Sequence, residues 1–223
     1  MQGELTFHFP SRIAAAALLT MHAIAAVAAS PQPSPSDLEP AAHHSAGGPS
    51  AVLPPSGRSP VTQRSVVLDI PPIALVRDDG CQVAFPRELD DGRAVLVNFI
   101  FTSCSSICPI SSQTFAQFQK MLGNGASRVH LVSVSIDPEE DTPAVLRKYA
   151  QKYDAQAGWN HYTGSIEATT AAQKAFGIYK GDKMNHDPVT LLRVAPGRPW
   201  VRIDGFATAD DLLHTYRRVQ AGG

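Results

Sequence analysis

Two cysteines, Cys104 and Cys108, are separated by three residues, and Pro109 follows directly. The pair lies where an apolar run ends and an amphipathic pattern begins, and open α/β sheets place their sites at the carboxyl ends of strands. The unpaired N–H groups of a helix that starts near Cys108 favour a thiolate over a thiol. A spacing of four also lets both sulfurs point the same way. The pattern predicts a redox pair or a metal site.

A plain disulfide staple is the structural alternative for this pair. In the loop-entropy model, closing a five-residue ring contributes only about 2 kcal/mol, so stability is a weak reason to place two cysteines this close. The chain has three cysteines, so at least one thiol is free or shared with another molecule. We expect Cys81, on a predicted hairpin tip, to be a lone thiol, with dimerisation or a mixed disulfide as the alternative.

The elements around the pair are those of an α/β protein. The apolar run at 94–101, rich in β-branched and aromatic residues, is typical of a strand buried on both faces. Apolar residues at helical spacing predict an amphipathic helix over 109–122, and a Val-rich run predicts a second strand at 128–136. Thr142 and Pro143 are a helix N-cap and a first helical residue.

Strand and helix patterns continue on both sides of this region. They predict strands at 66–68 and 73–76 before the turn Asp78-Asp79-Gly80, a strand at 160–163, a helix at 165–176, a hairpin around Pro196-Gly197 and a last helix capped by Thr208. Alternating strands and helices that end in a hairpin and a helix predict an α/β sandwich with parallel crossovers and an antiparallel edge.

The first 65 residues differ in composition from the rest of the chain. Residues 1–29 contain a long apolar run that ends in small residues, which predicts a signal peptide or an N-terminal membrane anchor. Residues 30–65 hold eight Pro and eight Ser and predict a flexible linker. We therefore expect the domain at 66–221 to be exported to the periplasm or cell envelope, with anchoring to the inner membrane left open.

The overall composition is that of an ordinary globular protein. The 223 residues are 43% hydrophobic, enough for one domain with a full core. The formal net charge is −1, from 19 basic and 20 acidic side chains with no dense Lys/Arg block. The sequence therefore offers no electrostatic reason to bind a nucleic acid.

Three segments together resemble the SCO/SenC family: NFIFTSCSSICP at 98–109, SVSIDPEEDTP at 133–143 and NHD at 185–187. The similarity spans about residues 66 to 221. It implies a thioredoxin-like sandwich with a mixed central sheet, to which the sequence adds an N-terminal hairpin. It also implies an exported copper-binding metallochaperone that delivers copper to a cuproprotein, above all in assembly of the cytochrome c oxidase copper site.

The resemblance also implies a ligand set for copper. By position, the ligands would be Cys104, Cys108 and His186. Two thiolates and an imidazole form a soft set that suits Cu(I), whereas a closed structural zinc site normally takes a fourth protein ligand. The implied partners are a copper donor protein and a cytochrome c oxidase subunit or another cuproprotein, and we expect a monomer.

The main alternative is a thiol-disulfide oxidoreductase that uses Cys104 and Cys108 as a redox pair. Family members usually carry a proline after the first cysteine, where this chain has Ser105. Pro188, just before a predicted strand, resembles the cis-proline of thioredoxin-like oxidoreductases. A peroxide-consuming peroxiredoxin relative is a third class, disfavoured by the residues around Cys104. Whether the protein is an enzyme at all stays open.

The remaining polar candidates have ordinary structural explanations. Asp137 follows the second predicted strand at the same rim as the cysteines, so it either orients His186 and tunes the metal from outside the ligand set, or serves as a turn residue before a proline. We expect His130, His161 and His214 to be structural.

Overall fold

The computed structural model describes residues 61–222, so the predictions for 1–29 and for most of the linker at 30–65 lie outside the described residues. None of the helices within 61–222 is both long and apolar enough to cross a membrane. The strands and helices are β1 (Thr62–Val66), β2 (Ala74–Arg77), β3 (Gln82–Ala84), α1 (Phe85–Leu89), β4 (Ala94–Ile100), α2 (Ile107–Leu122), β5 (Val129–Ser135), α3 (Pro143–Lys152), β6 (Trp159–Thr163), α4 (Ile166–Ala175), β7 (Val189–Arg193), β8 (Trp200–Asp204) and α5 (Ala209–Ala221), with 3₁₀ helices at Gly123–Arg128 and Lys183–Asn185.

One mixed sheet organises the domain. Its eight strands run in the order β1-β8-β7-β4-β5-β6-β2-β3. The central strands β4, β5 and β6 are parallel, and every other neighbouring pair is antiparallel. The carboxyl ends of β4 and β5 therefore lie side by side, at the edge from which the cysteine loop and Asp137 emerge.

Helices cover both faces of the sheet. Adjacent residues of β4 face opposite layers, as pleating requires. Asn98 accepts a hydrogen bond from Ser133 on one face, while the ring of Phe99 meets Phe176 edge-on across the other. Every residue of β4 and of β5 is buried, so the loops that follow these strands start from the core of the sheet.

Most of the predicted elements are confirmed. The strand predicted at 94–101 is β4, and the mixed sheet, the hairpin β2–β3 and the antiparallel pair β7–β8 are present. Thr142 caps α3 by accepting a hydrogen bond from the N–H of Val145, and Pro143 is the first residue of that helix.

The first strand begins earlier than the sequence predicts. β1 begins at Thr62, and the strand predicted at 66–68 is instead the end of β1 followed by Val67, which is 90% exposed. The first four residues of β1 are polar or exposed and carry no apolar alternation. Pairing with β8 supplies their hydrogen bonds, and that long-range partner leaves no local signal.

Candidate metal and thiol site

The cysteine loop leaves the end of β4 and turns directly into α2. The helix begins at Ile107, two residues earlier than predicted, so Cys108 lies inside its first turn and is fully buried, whereas Cys104 in the loop is half-buried. The N–H of Cys108 donates to Sγ of Cys104 at 3.4 Å, and the N–H of Phe101 donates to Sγ of Cys108 at 3.5 Å. Backbone N–H groups therefore face both sulfurs.

The pKa values of the two thiols are shifted in opposite directions. Burial opposes ionisation of Cys104, but hydrogen bonds donated to its sulfur by the backbone N–H groups of Cys108 and Ser106 outweigh that effect, and its pKa lies below the ordinary value. Burial raises the pKa of Cys108 far above the ordinary value. Cys104 is therefore the reactive thiol, while Cys108 holds its proton until a metal or an S–S bond replaces it.

His186 comes from a distant segment and meets the pair. It directly follows the 3₁₀ turn Lys183–Asn185 and is buried, although its neighbours Asn185 and Asp187 are exposed. Its Nε2 lies 3.8 Å from Sγ of Cys108, and its Nδ1 lies 3.2 Å from the carbonyl oxygen of Lys183. A carbonyl only accepts hydrogen bonds, so Nδ1 carries the proton and Nε2 presents its lone pair to Cys108.

The His186 ring is suited to ligation in its charge state as well. Burial lowers its pKa, so the imidazole is neutral at neutral pH. Metal bonds of about 2.0 Å to nitrogen and about 2.3 Å to sulfur, the lengths known for zinc, separate the two atoms by about 3.7–4.3 Å at bond angles of about 120–180°. The observed 3.8 Å between Cys108 and His186 fits one metal ion between them.

The third predicted ligand is close but not yet aligned with the other two. Within 61–222, no group of three Cys, His, Asp or Glu side chains stands ready-made in a metal-binding arrangement. Cys104 is held against the N–H of Cys108, and its sulfur lies 3.8 Å from the hydroxyl of Ser106. Coordination by all three residues therefore requires the site to rearrange.

Asp137 lies next to the site and reaches the histidine turn through a lysine. Its Oδ2 accepts a hydrogen bond of 2.6 Å from Nζ of Lys183, the residue whose carbonyl holds His186. The carboxyl group is nearly buried, with its side chain 7% exposed. Asp137 thus contacts the turn that carries the imidazole rather than the imidazole itself.

Asp141 lies beside the cysteine loop, although its place in the sequence does not single it out. Its buried carboxylate accepts hydrogen bonds from the N–H and the hydroxyl of Thr102 and from the hydroxyl of Ser135. Burial raises its pKa despite these bonds. It ties the start of the cysteine loop to β5. In the sequence it is one of several adjacent acidic residues, and residue type alone does not distinguish it from Glu139 or Glu140.

The remaining candidates lie elsewhere or differ from expectation. Cys81 is an exposed free thiol beside the turn of the β2–β3 hairpin. The resemblance of Pro188 to a cis-proline does not extend to its conformation, because all peptide bonds in the described part of the chain are trans. His130 is buried, with Nδ1 3.1 Å from the carbonyl oxygen of Glu88 and Nε2 3.0 Å from Oδ1 of Asn160, as expected of a structural residue. His161 is buried in the core.

Comparison with known proteins identifies relatives of this chain. The SCO1 protein homolog of Bacillus subtilis (strain 168) is 34% identical over 97 residues, which are 43% of this chain and 49% of that protein. The chain spans about half the length of the curated relatives it matches.

Solved structures show the same fold. BsSco, described as a member of the Sco family of cytochrome c oxidase assembly proteins in which a disulfide switch was identified, is 27% identical with a TM-score of 0.58, covering 69% of this chain and 94% of that one. Bradyrhizobium japonicum ScoI, solved with copper bound, is 22% identical with a TM-score of 0.57, covering 66% and 97%. The SCO1/SenC family model matches residues 72–219 of this sequence. The chain belongs to the SCO1/SenC family.

Proposed function

We propose that this protein binds Cu(I) through Cys104, Cys108 and His186 and hands it to a cuproprotein, in assembly of the cytochrome c oxidase copper site. The observation that carries the proposal is the 3.8 Å approach of His186 Nε2 to Cys108 Sγ beside the half-buried Cys104. Soft sulfur donors with one imidazole suit Cu(I). Family membership supports it, as does the copper bound by ScoI of Bradyrhizobium japonicum.

Copper is the cargo of this site rather than a fixed part of the fold. Binding displaces the proton of Cys108, because that thiol is neutral before the metal arrives. Cys104 is the accessible donor, so an incoming protein exchanges ligands there first. Asp137 steadies the histidine turn without binding the metal. We place the acceptor in the class of oxidase subunits because BsSco is described as a member of a family of oxidase assembly proteins.

The ligand assignment is tested by reconstitution with Cu(I). The wild type should retain one copper per chain, and X-ray absorption should count sulfur and nitrogen neighbours. The double variant Cys104→Ala, Cys108→Ala should retain none, and His186→Ala should lose the nitrogen neighbour. The matched controls are Cys81→Ser and His214→Ala, whose residues are exposed in other parts of the fold. Full copper retention by the double variant would rule out the site.

The cellular part of the proposal is an exported protein held in the periplasm or cell envelope. Its support is the apolar segment within residues 1–29. Cell fractionation and N-terminal sequencing of the mature protein test it. Recovery of the intact chain from the cytoplasm alone would contradict it.

The unequal thiols also favour a second candidate, a thiol-disulfide oxidoreductase. The Cys104 thiolate would attack a substrate disulfide, forming a mixed disulfide and releasing one substrate thiolate. Cys108, after losing its proton, would then attack Cys104, releasing the second thiolate and leaving a Cys104–Cys108 disulfide. The substrate gains two electrons and the pair loses two.

The oxidoreductase candidate is tested by trapping the mixed disulfide. With a model disulfide such as oxidised glutathione, Cys108→Ser should accumulate one glutathione on Cys104, whereas Cys104→Ser should accumulate none at position 108. Both variants are made on a Cys81→Ser background to remove the exposed third thiol. Failure of Cys104 to exchange would remove the oxidoreductase candidate and leave the copper proposal in place.

A further inference from the structure

We propose that Lys183 is the positioning residue of His186: its side chain ties the histidine turn to the sheet, and its carbonyl fixes the ring tautomer that faces Cys108. This inference rests on the proposed copper site and adds a residue outside the segments that identify the family. It concerns the orientation of a ligand, and Lys183 itself does not contact the metal.

The histidine turn closes on itself through local hydrogen bonds. Asp182 accepts from the N–H of Met184 through its side chain and from the N–H of Asn185 through its backbone. The N–H of His186 donates to the carbonyl of Lys183. These bonds shape a short turn, but they do not decide where that turn sits relative to β4 and α2.

Lys183 supplies the connection to the sheet. Its Nζ donates to Oδ2 of Asp137 at 2.6 Å. Asp137 is held in place by the backbone: it lies two residues after the end of β5, its N–H donates to the hydroxyl of Ser135, and its carbonyl accepts from the N–H of Asp141. Since the Asp137 side chain is only 7% exposed, water screens this ion pair less than an ordinary surface pair.

Phe101 completes the enclosure of the ring. The imidazole of His186 meets its face edge-on, with ring centroids 5.7 Å apart, and Nζ of Lys183 lies 5.7 Å from the same centroid. The N–H of Phe101 also donates to Sγ of Cys108. The lysine, the phenylalanine and the histidine therefore pack together at the sulfur that His186 faces.

The carbonyl of Lys183 fixes the His186 ring in the tautomer that carries its proton on Nδ1. One carbonyl, that of Lys183, accepts hydrogen bonds from both the N–H and the ring Nδ1–H of His186. With Nδ1 protonated, the lone pair of Nε2 points at Cys108. Groups that hold the second nitrogen of a metal-binding histidine typically change metal affinity by about 10–100-fold when they are removed. Displacing the Lys183 carbonyl should have an effect of this size.

The first test is nitrogen NMR of the His186 ring in the metal-free protein. The wild type should show a single tautomer with Nδ1 protonated. Lys183→Met, which keeps the apolar stem and removes the ion pair, should show a mixture of tautomers, and Lys183→Arg should restore the wild-type spectrum. The matched control is Lys180→Met, because Lys180 pairs with Asp187 at 3.0 Å in the same segment but both side chains are about half exposed or more.

The second test measures Cu(I) affinity by competition with a chelator. Lys183→Met should weaken binding about tenfold, and it should have no further effect in a His186→Ala background, because Lys183 acts through that ring. Lys180→Met should change affinity less than about twofold. Because Lys183→Met leaves Asp137 unpaired, the double variant Asp137→Asn, Lys183→Met repeats both measurements without that buried charge.

The outcomes separate the two proposals. A wild-type tautomer in both Lys183→Met and the double variant would overturn the positioning role, whatever the copper result. Equal copper losses from Lys183→Met with and without His186 would overturn it as well. Failure of the wild type to bind copper would instead remove the proposed function, while the NMR comparison still decides the role of Lys183.

Discussion

The sulfur of Cys108 lies 3.8 Å from Nε2 of His186, although 78 positions separate the two residues in the chain. The thiol is protonated because burial raises its pKa, and the imidazole is neutral because burial lowers its pKa. The contact is therefore an S–H group facing a nitrogen lone pair. A soft metal ion that replaces that proton finds both donors already facing each other.

This arrangement predicts that Cu(I) binding strengthens as the pH rises. Each copper bound displaces the proton of Cys108, so affinity should increase at least about tenfold per pH unit between about pH 6 and pH 8. Protonation of His186 does not interfere there, because its pKa is lowered. The measurement is chelator competition across that range.

The control for this pH dependence is Cys108→Ala. It removes the proton that copper displaces, so its remaining affinity should depend less steeply on pH than that of the wild type. Wild-type affinity that stays constant across the range would contradict the protonated state assigned to Cys108.

A second prediction concerns the order in which the thiols react. In the native protein, iodoacetamide should modify Cys104 at least about tenfold faster than Cys108, and the reaction should remain fast at pH values where an ordinary thiol slows. Cys104 reacts faster because its pKa is lowered and its side chain is partly exposed. Cys108 reacts more slowly because it is buried and its pKa is raised. Peptide mass spectrometry follows both sites, with exposed Cys81 as the internal reference. Equal rates at Cys104 and Cys108 would refute the asymmetry.

A third prediction is that Asp141→Asn destabilises the fold by about 2–4 kcal/mol. The amide cannot accept from all three donors that the carboxylate serves, which are two groups of Thr102 and the hydroxyl of Ser135. Chemical denaturation measures the loss. The control is Asp154→Asn, at an exposed side chain with a positive φ that asparagine also adopts, where a change within about 0.5 kcal/mol is expected.

The pH dependence of this loss has a definite sign. The folded-state pKa of Asp141 is raised, so protonation favours the folded state. That contribution is full below the unfolded value of about 3.9 and disappears as the pH rises through the folded value. The stability difference between wild type and Asp141→Asn should therefore shrink from acid toward neutral pH. A difference that grows with pH would show that the carboxylate is stabilised, not penalised, by its site.

The sequence predicts those parts of the fold whose signal is local. The apolar run at 94–101 predicts a buried strand, and the cap at Thr142 predicts a helix start. Both are present. β1 was misplaced because its exposed polar residues owe their conformation to pairing with β8. The five-residue helix α1 was missed, since so short an element carries too few residues to show a period.

The candidate site also has a part that the sequence predicts and a part that it does not. The spacing of Cys104 and Cys108 and the strand-to-helix switch are visible in the sequence, whereas His186 could be paired with them only through resemblance to a family. Lys183 and Asp141 were not found at all. Both act through backbone carbonyls or buried hydrogen bonds between distant segments, and these contacts exist only once the chain has folded.

A final prediction concerns His161, which lies in the core and has neither ring nitrogen hydrogen-bonded to another residue between 61 and 222. Its ring stacks on Trp159 at 5.2 Å and meets Tyr149 edge-on at 6.0 Å, while Nδ1 stays 3.7 Å from Asp78. A buried polar group without a partner costs stability, whereas an apolar ring of similar shape keeps the packing. His161→Phe should therefore raise the free energy of unfolding by about 1 kcal/mol.

The matched control is His130→Phe. His130 is equally buried, but Nδ1 lies 3.1 Å from the carbonyl of Glu88 and Nε2 lies 3.0 Å from the side-chain oxygen of Asn160. The ring N–H donates to one of these oxygens, and removing the imidazole leaves that buried acceptor without a donor, so this variant should lose about 1–3 kcal/mol. Urea denaturation with unchanged m values compares the two. A similar loss from both substitutions would mean that His161 has a polar partner after all, so the opposite signs are the decisive result.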